Sequence, residues 1–155
     1  MDLDFKNYHF TVMNAENLQF SENSFDLVYG TGILHHLDLD RAYSELSRIM
    51  RSGGHAVFFE PLGHNPLLNA FRKSTPHLRT ADEHPFLVSD FVKARQYFSE
   101  VHVEYYGLTT LCAIPFRKLS VGPAIMKICE TMDKVLNVIP FVGRYAWHAV
   151  LVFTK

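Results

Sequence analysis

His35, His36 and Glu60 are the side chains of this sequence best suited to moving a proton. Imidazoles titrate near neutrality, and a carboxylate can orient an imidazole or take its place. Their setting sets them apart. The run Phe25–Tyr29 (F-D-L-V-Y) is apolar enough for a strand buried on both faces of a parallel sheet, and Gly30, Thr31 and Gly32 interrupt it just before the histidines. In an open α/β sheet, ligands sit beyond the carboxyl ends of strands, and glycines there let a ligand approach the backbone. The run His55–Glu60 (H-A-V-F-F-E) ends in the same manner, on a glutamate followed by Pro61 and Gly63. Structural roles stay open beside the chemical ones. Either histidine can pack under a helix start, and Glu60 can cap a strand end.

The elements that must position these groups follow from periodicity. Between the two runs, apolar residues at 39, 42, 43, 46, 49 and 50 repeat on one helical face, with Asp38 as N-cap and Gly53-Gly54 as the stop. Strand, helix and strand at this spacing imply a right-handed parallel crossover. Gly30, Thr31 and Glu60 then fall on one rim of the sheet. Upstream, the aromatic and β-branched stretch Tyr8–Met13 is expected to be a strand, followed by a loop at Asn14, Ala15 and Glu16. Asn14 can serve a ligand or bond its own backbone.

Residues 62–87 are rich in Pro, His and Arg, with one amphipathic patch at Leu67–Arg72, and read as a lid-like insertion. His64, Arg79 and His84 of this stretch, with His36 at the tip of the first run, are the candidates for lining a substrate. His77, Asp82 and His84 show no metal-ligand spacing, so no metal is expected. A helix capped by Ser89 is expected to run through Phe98, then an edge strand with Val101, Val103 and Tyr105 facing inward. Val121–Asn137 returns to helical period with Pro123 in its first turn, and Tyr145–Phe153 reads as a terminal strand. The apolar face of that helix and Ile139–Val142 are expected to be core.

At 155 residues, 48% hydrophobic and 20% charged, the chain reads as a single globular domain. A net charge of −1 offers no reason to expect nucleic acid as a partner. Cys112 and Cys129 read as buried thiols of a reducing compartment. Neither a signal peptide nor an apolar run of the ~18 residues needed for a membrane span is evident, so the expected location is cytoplasmic.

Asn14–Phe20 (N-A-E-N-L-Q-F), S-F-D-L-V-Y-G…L-H-H-L from Ser24, Glu45–Gly54 (E-L-S-R-I-M-R-S-G-G) and the strand ending Phe59–Pro61 resemble, in order and spacing, the small-molecule class I S-adenosylmethionine-dependent methyltransferases of the type 11-like group. The resemblance is dense from Phe10 to Pro61 and looser beyond. It implies a Rossmann-like α/β fold, mostly parallel with an antiparallel C-terminal strand inserted between two others. It also implies a domain missing its first two strands, since the family's glycine-rich loop and second-strand acid have no counterpart in this sequence. On the resemblance, Asn14, Ala15 and Glu16 meet the adenine, Gly30 and Thr31 the methionine end of S-adenosylmethionine, and His35 or His36 faces the sulfonium and a small-molecule acceptor, with Glu60 beside them. Asn14 stands where aspartate is commonest, and Gln19 replaces the usual proline.

The expected activity is methyl transfer to a small organic molecule, this chain being the C-terminal part of the catalytic domain. The alternative is a non-catalytic fragment acting as a partner-binding module, since strand Phe25–Tyr29 would expose an open edge for a second copy or a partner chain to cover. On the same grounds the chain alone is expected to bind cofactor poorly. A nicotinamide dehydrogenase shares the architecture, but Gly30-Thr31-Gly32 lacks the third glycine of its fingerprint.

Overall fold

The structure, a computed structural model, describes residues 8–155. Strands β1 (Phe25–Thr31) and β2 (Met50–Pro61) run parallel, with helix α1 (Leu39–Ile49) crossing between them. The chain continues through α2 (Pro66–Ser74), α3 (Val88–Ala94), β3 (Glu100–Tyr106), α4 (Gly122–Leu136) and β4 (His148–Thr154). The sheet order is β1-β2-β4-β3. β4 is antiparallel to both β2 and β3, so β1, β2 and β3 share one direction and the last strand of the chain is inserted between two of them. This is the topology expected from the sequence.

One face of the sheet carries the core. Alternation along β2 and β4 turns Ala56, Phe58, Glu60 and Leu62, with Ala149, Leu151 and Phe153, toward α1 and α3. α1 meets them with Leu39, Ala42, Tyr43 and Leu46, one helical stripe. Tyr43, Phe98 and Phe153 form the aromatic centre, with ring centroids 5.5 Å apart for Tyr43–Phe153 and 4.8 Å for Phe98–Phe153. α1 starts as its sequence requires: the Asp38 carboxylate accepts from the backbone N–H groups of Asp40 and Arg41 at 3.0 and 3.3 Å. Asp38→Ala is expected to cost about 1 kcal/mol, which thermal unfolding should show as a fall in Tm of about 2–4 °C.

Several expectations are corrected. Residues 8–13 form no strand. Residues 8–13 pair with no described strand, and Phe10 and Val12 lie exposed. β1 is an edge strand rather than one buried on both faces: Leu27 is 63% and Tyr29 71% exposed. α1 stops at Ile49, and the chain enters β2 at Met50 without a loop. Gly53, at φ +74°, instead sits where the β1–β2 register slips between Phe25↔Met50 and Leu27↔His55. The extra residues are absorbed as a bulge, and the left-handed backbone suits glycine.

Ser89 is not the cap of its helix. α3 begins at Val88, and Asp90 closes the first turn by accepting from the Leu87 N–H at 2.8 Å. α4 buries only Gly122, Cys129 and Asp133, so its apolar stripe is not core. Ile128, Met132, Val135, Ile139 and Phe141 are exposed, because the helix packs on the 3-10 segment Thr110–Phe116 rather than on the sheet. Cys129 is buried, whereas Cys112, on that 3-10 segment, is exposed. Among the described residues, no helix is long and apolar enough to cross a membrane.

Candidate active site

Glu60 is the last core-facing residue of β2, and it has 0% exposure. A buried carboxylate at that depth must have its oxygens satisfied, and the parallel crossover supplies the donors. β1 ends beside β2 and turns into the 3-10 segment Leu34–His36. The first two N–H groups of that turn, Ile33 and Leu34, donate to Glu60 Oε1 at 3.0 and 2.9 Å. The other oxygen, Oε2, lies 2.7 Å from Nδ1 of His35, itself only 7% exposed. The two strand tips singled out in the sequence are thus joined by one buried carboxylate that holds both the backbone turn and the imidazole. A carboxylate accepts only, so Nδ1 of His35 carries the proton and Nε2 keeps its lone pair.

His36 points the other way. Its Nδ1 lies 2.9 Å from Asp82 Oδ2, and Thr80 Oγ1 is 3.3 Å from the same nitrogen. Asp82 is held below the usual carboxylate range by bonds from Thr80, its own backbone N–H and His36. The backbone N–H of His84 donates to the His35 carbonyl at 2.8 Å, so the 62–87 segment is fastened to the histidine turn at two points. The segment's ends close on the sheet through a bridge between Leu62 and Phe86. Its amphipathic patch is α2, capped by Asn65.

The other candidates are dispersed. His64 Nε2 accepts from the Val88 N–H at 3.0 Å, and burial, then the Arg144 charge, pushes its pKa down. Arg79 is paired with Glu83 four residues on. The His84 side chain is exposed. Among the described residues no group of three metal-ligating side chains is gathered.

Asn14, Ala15 and Glu16 do reach the crossover. Asn14 Oδ1 accepts from the Glu16 N–H at 2.9 Å, the local loop bond, which leaves the oxygen a second lone pair. Glu16 Oε1 accepts from the Asp38 N–H at 2.9 Å, fixing the loop to the start of α1. Between loop, β1 and α1 lies an apolar recess of about 150 Å³, lined by Ala15, Leu18, Tyr29, Gly30, Leu37 and Phe58 among others. Gly30 is needed for packing as much as for any ligand: a Cβ there would fall 2.4 Å from Cε1 of Phe58. Gly32, at φ +58°, makes the left-handed turn that brings the chain from β1 to His35. Thr31 lies exposed on the rim, opposite Phe59 of β2.

Sequence reasoning missed two further residues, Trp147 and His148. His148 opens β4 and pairs with Pro61 on one side and Tyr106 on the other, so it belongs to the same rim. Its ring stacks on Phe59 at 4.6 Å and on Trp147 at 4.9 Å. Burial, then the Arg72 charge, lowers its pKa, and Glu60 and His35 are near enough to act on it too. The signal was present as W-H at the head of a strand, but only the antiparallel insertion of β4 carries it to the rim.

Residues 2–58 match the family described as "Methyltransferase domain". No curated protein matches the chain by sequence. Among solved structures, phosphoethanolamine N-methyltransferase 2 of Haemonchus contortus is similar with a TM-score of 0.58 and 16% identity over 93% of this chain and 36% of its own. A Thermotoga maritima enzyme described as a possible histamine N-methyltransferase gives a TM-score of 0.61 and 17% identity over 92% of this chain and 61% of its own. Geranyl diphosphate C-methyltransferase of Streptomyces coelicolor gives 0.55 and 12% over 94% and 52%. This chain therefore spans between about a third and two thirds of the length of these neighbours. Residues 2–58 thus match a methyltransferase family, and the fold of the chain is one it shares with these S-adenosylmethionine-dependent methyltransferases.

Proposed function

We propose that the protein transfers a methyl group from S-adenosylmethionine to a small organic molecule, and that this chain contributes the acceptor side of the cleft. The observation that carries the reading is the buried Glu60–His35 pair on the rim shared by β1 and β2. Its neighbour is the apolar recess between the 14–18 loop and Gly30, which suits the flat, weakly polar adenine of the cofactor, with Ala15, Leu18 and Gly30 as its walls. Asn14, Glu16 and Thr31 flank that recess as further cofactor contacts. When bound, the cofactor supplies an electrophilic methyl group on a sulfonium.

The remaining work falls to alignment, dryness and one proton. Methyl transfer is an in-line displacement, helped most by holding donor and acceptor in register away from water. An acceptor hydroxyl or ammonium must also lose a proton. His35 takes it at Nε2 as the new bond to carbon forms, and Glu60, bonded to Nδ1, stabilises the imidazolium that results. The 62–87 segment, fastened over the histidine turn through His36 and Asp82, excludes water as a lid; His64, His84 and Arg79, dispersed along it, act at its margin. The Haemonchus and Streptomyces enzymes, crystallised with phosphomonomethylethanolamine and geranyl diphosphate, support a small-molecule acceptor.

Filling the recess tests the cofactor assignment. Ala15→Phe is expected to weaken S-adenosylmethionine binding by about tenfold or more, a loss of about 1.4 kcal/mol, with Tm little changed. Calorimetric titration showing equal affinity in the variant removes the recess as the adenine site. The partner-binding reading keeps one observation in its favour. Among the described residues no strand covers the outer edge of β1, where Leu27 and Tyr29 are exposed. A second copy or another chain would fit there, and transfer of a labelled methyl group separates an enzyme from such a module.

A further inference from the structure

We infer that the pocket between the end of β3, the 3-10 segment Thr110–Phe116 and α4 receives the apolar body of the methyl acceptor, and that this body is an uncharged aromatic ring system. The inference rests on the methyl-transfer reading, because it names the substrate of that same rim. The pocket holds about 550 Å³, inside the range of ligand cavities. Tyr105, Tyr106 and Trp147 are among its lining residues, and Leu111, Ile114 and Met126 add to the apolar wall. Flat rings favour stacked or edge-on aromatic partners, and methionine adapts to their outline. Of the charged residues beside it, Glu130 is exposed and pairs with Lys127 at 3.4 Å, and Lys134 is exposed.

The walls are built rather than left over. Asp133, buried on α4, accepts from the backbone N–H groups of Leu108 and Thr109 and from both threonine hydroxyls, Thr109 and Thr110. Those bonds hold its pKa below the ordinary value against the opposing effect of burial. They pin the end of β3 to the middle of α4. Asn137 Nδ2 donates to the Tyr105 carbonyl at 2.9 Å one turn further on. Gly143 has no side chain where the Tyr105 ring passes, since a Cβ there would overlap the ring. Polar bonds behind the wall and rings in front of it make a preformed cavity.

The pocket also leads to the chemistry. Trp147 is at once its wall and the end of the stack Trp147–His148–Phe59, and Phe59 pairs with Thr31 at the tip of β1. An acceptor with its ring system against Trp147 extends its nucleophilic atom along that stack toward the rim, where His148 pairs with Pro61, the residue after Glu60.

Trp147 is the single tryptophan of the chain, so its fluorescence reports this pocket. The probe is 1-nitronaphthalene, whose absorption overlaps tryptophan emission. Saturable quenching is expected in the wild-type protein. Leu111→Phe and Met126→Phe, on different elements, are each expected to weaken it about tenfold by filling the cavity. Ile128→Phe, exposed on another part of α4, is expected to leave it unchanged. Quenching that does not saturate, or that ignores both filling variants, overturns the pocket. Calorimetric affinity for S-adenosylmethionine separates the two levels. Cofactor binding without nitronaphthalene binding sinks the pocket alone. Nitronaphthalene binding without cofactor binding in a protein that carries the whole cofactor cleft sinks the methyl-transfer reading, and the acceptor assignment with it.

Discussion

His35→Ala is expected to lower turnover by about 10²–10⁴-fold while leaving the affinity for S-adenosylmethionine close to that of the parent protein. The expectation follows from geometry. Nδ1 of His35 is engaged by Glu60 at 2.7 Å, so the only imidazole nitrogen left to accept a proton is Nε2. The ring is 7% exposed, which keeps bulk water from doing the same work. The recess proposed for the cofactor is lined by other residues, Leu34 being the nearest in sequence. Single-turnover transfer of labelled methyl, measured beside the calorimetric Kd, checks the claim. Undiminished transfer would remove His35 as the base and leave it a packing histidine under the start of α1. A matched loss of cofactor affinity would point to collapse of the turn instead.

Glu60→Ala is expected to be the most destabilising of these substitutions, at about 3–5 kcal/mol. Three donors lose their acceptor at once: the N–H groups of Ile33 and Leu34, and Nδ1 of His35. Glu60 is fully buried, so water cannot replace the carboxylate without opening the core. Thermal unfolding should show Tm lower by about 10 °C or more. Glu60→Gln separates stability from chemistry. Its amide oxygen still accepts from Ile33 and Leu34, but its NH₂ faces Nδ1 and forces that nitrogen to accept. The proton of His35 then moves to Nε2, and the base form is lost. The amide variant is therefore expected to keep most of the stability and lose about 10²–10⁴-fold in turnover. Equal Tm values for Glu60→Ala and the parent would mean that the carboxylate holds nothing. Full turnover in Glu60→Gln would mean that the tautomer of His35 does not matter.

Much of this arrangement could be read from residue order. Asp38 and the repeat from Leu39 to Ile49 specify α1 locally, because a helix bonds within itself and its cap lies one residue before it. The apolar run His55–Glu60 and the terminal strand were legible for a related reason: a short apolar run between turn residues marks a strand that is buried in a sheet. The resemblance over Asn14–Pro61 added the topology, including the insertion of β4. Residues 8–13 have strand composition and no strand, because pairing needs an edge that composition does not contain. The α4 stripe has the period of a buried helix and stays half in solvent, because periodicity marks which residues share a face without saying whether anything covers it. Ser89 has the right residue type for a cap, but Asp90 reaches the Leu87 N–H.

By itself, then, the amino-acid order determined the local elements, the parallel crossover and the three proton-moving candidates, since each depends on contacts a few residues apart or on a single burial pattern. Tertiary structure alone decided that His35 and not His36 is joined to Glu60, that Gly30 makes room for Phe58, and that Trp147 and His148 reach the rim. These are pairings between residues 25 or more apart in the chain, or positions set by how β4 enters the sheet. They depend on how finished elements dock, and docking is chosen by the packing of the whole core rather than by any stretch of it.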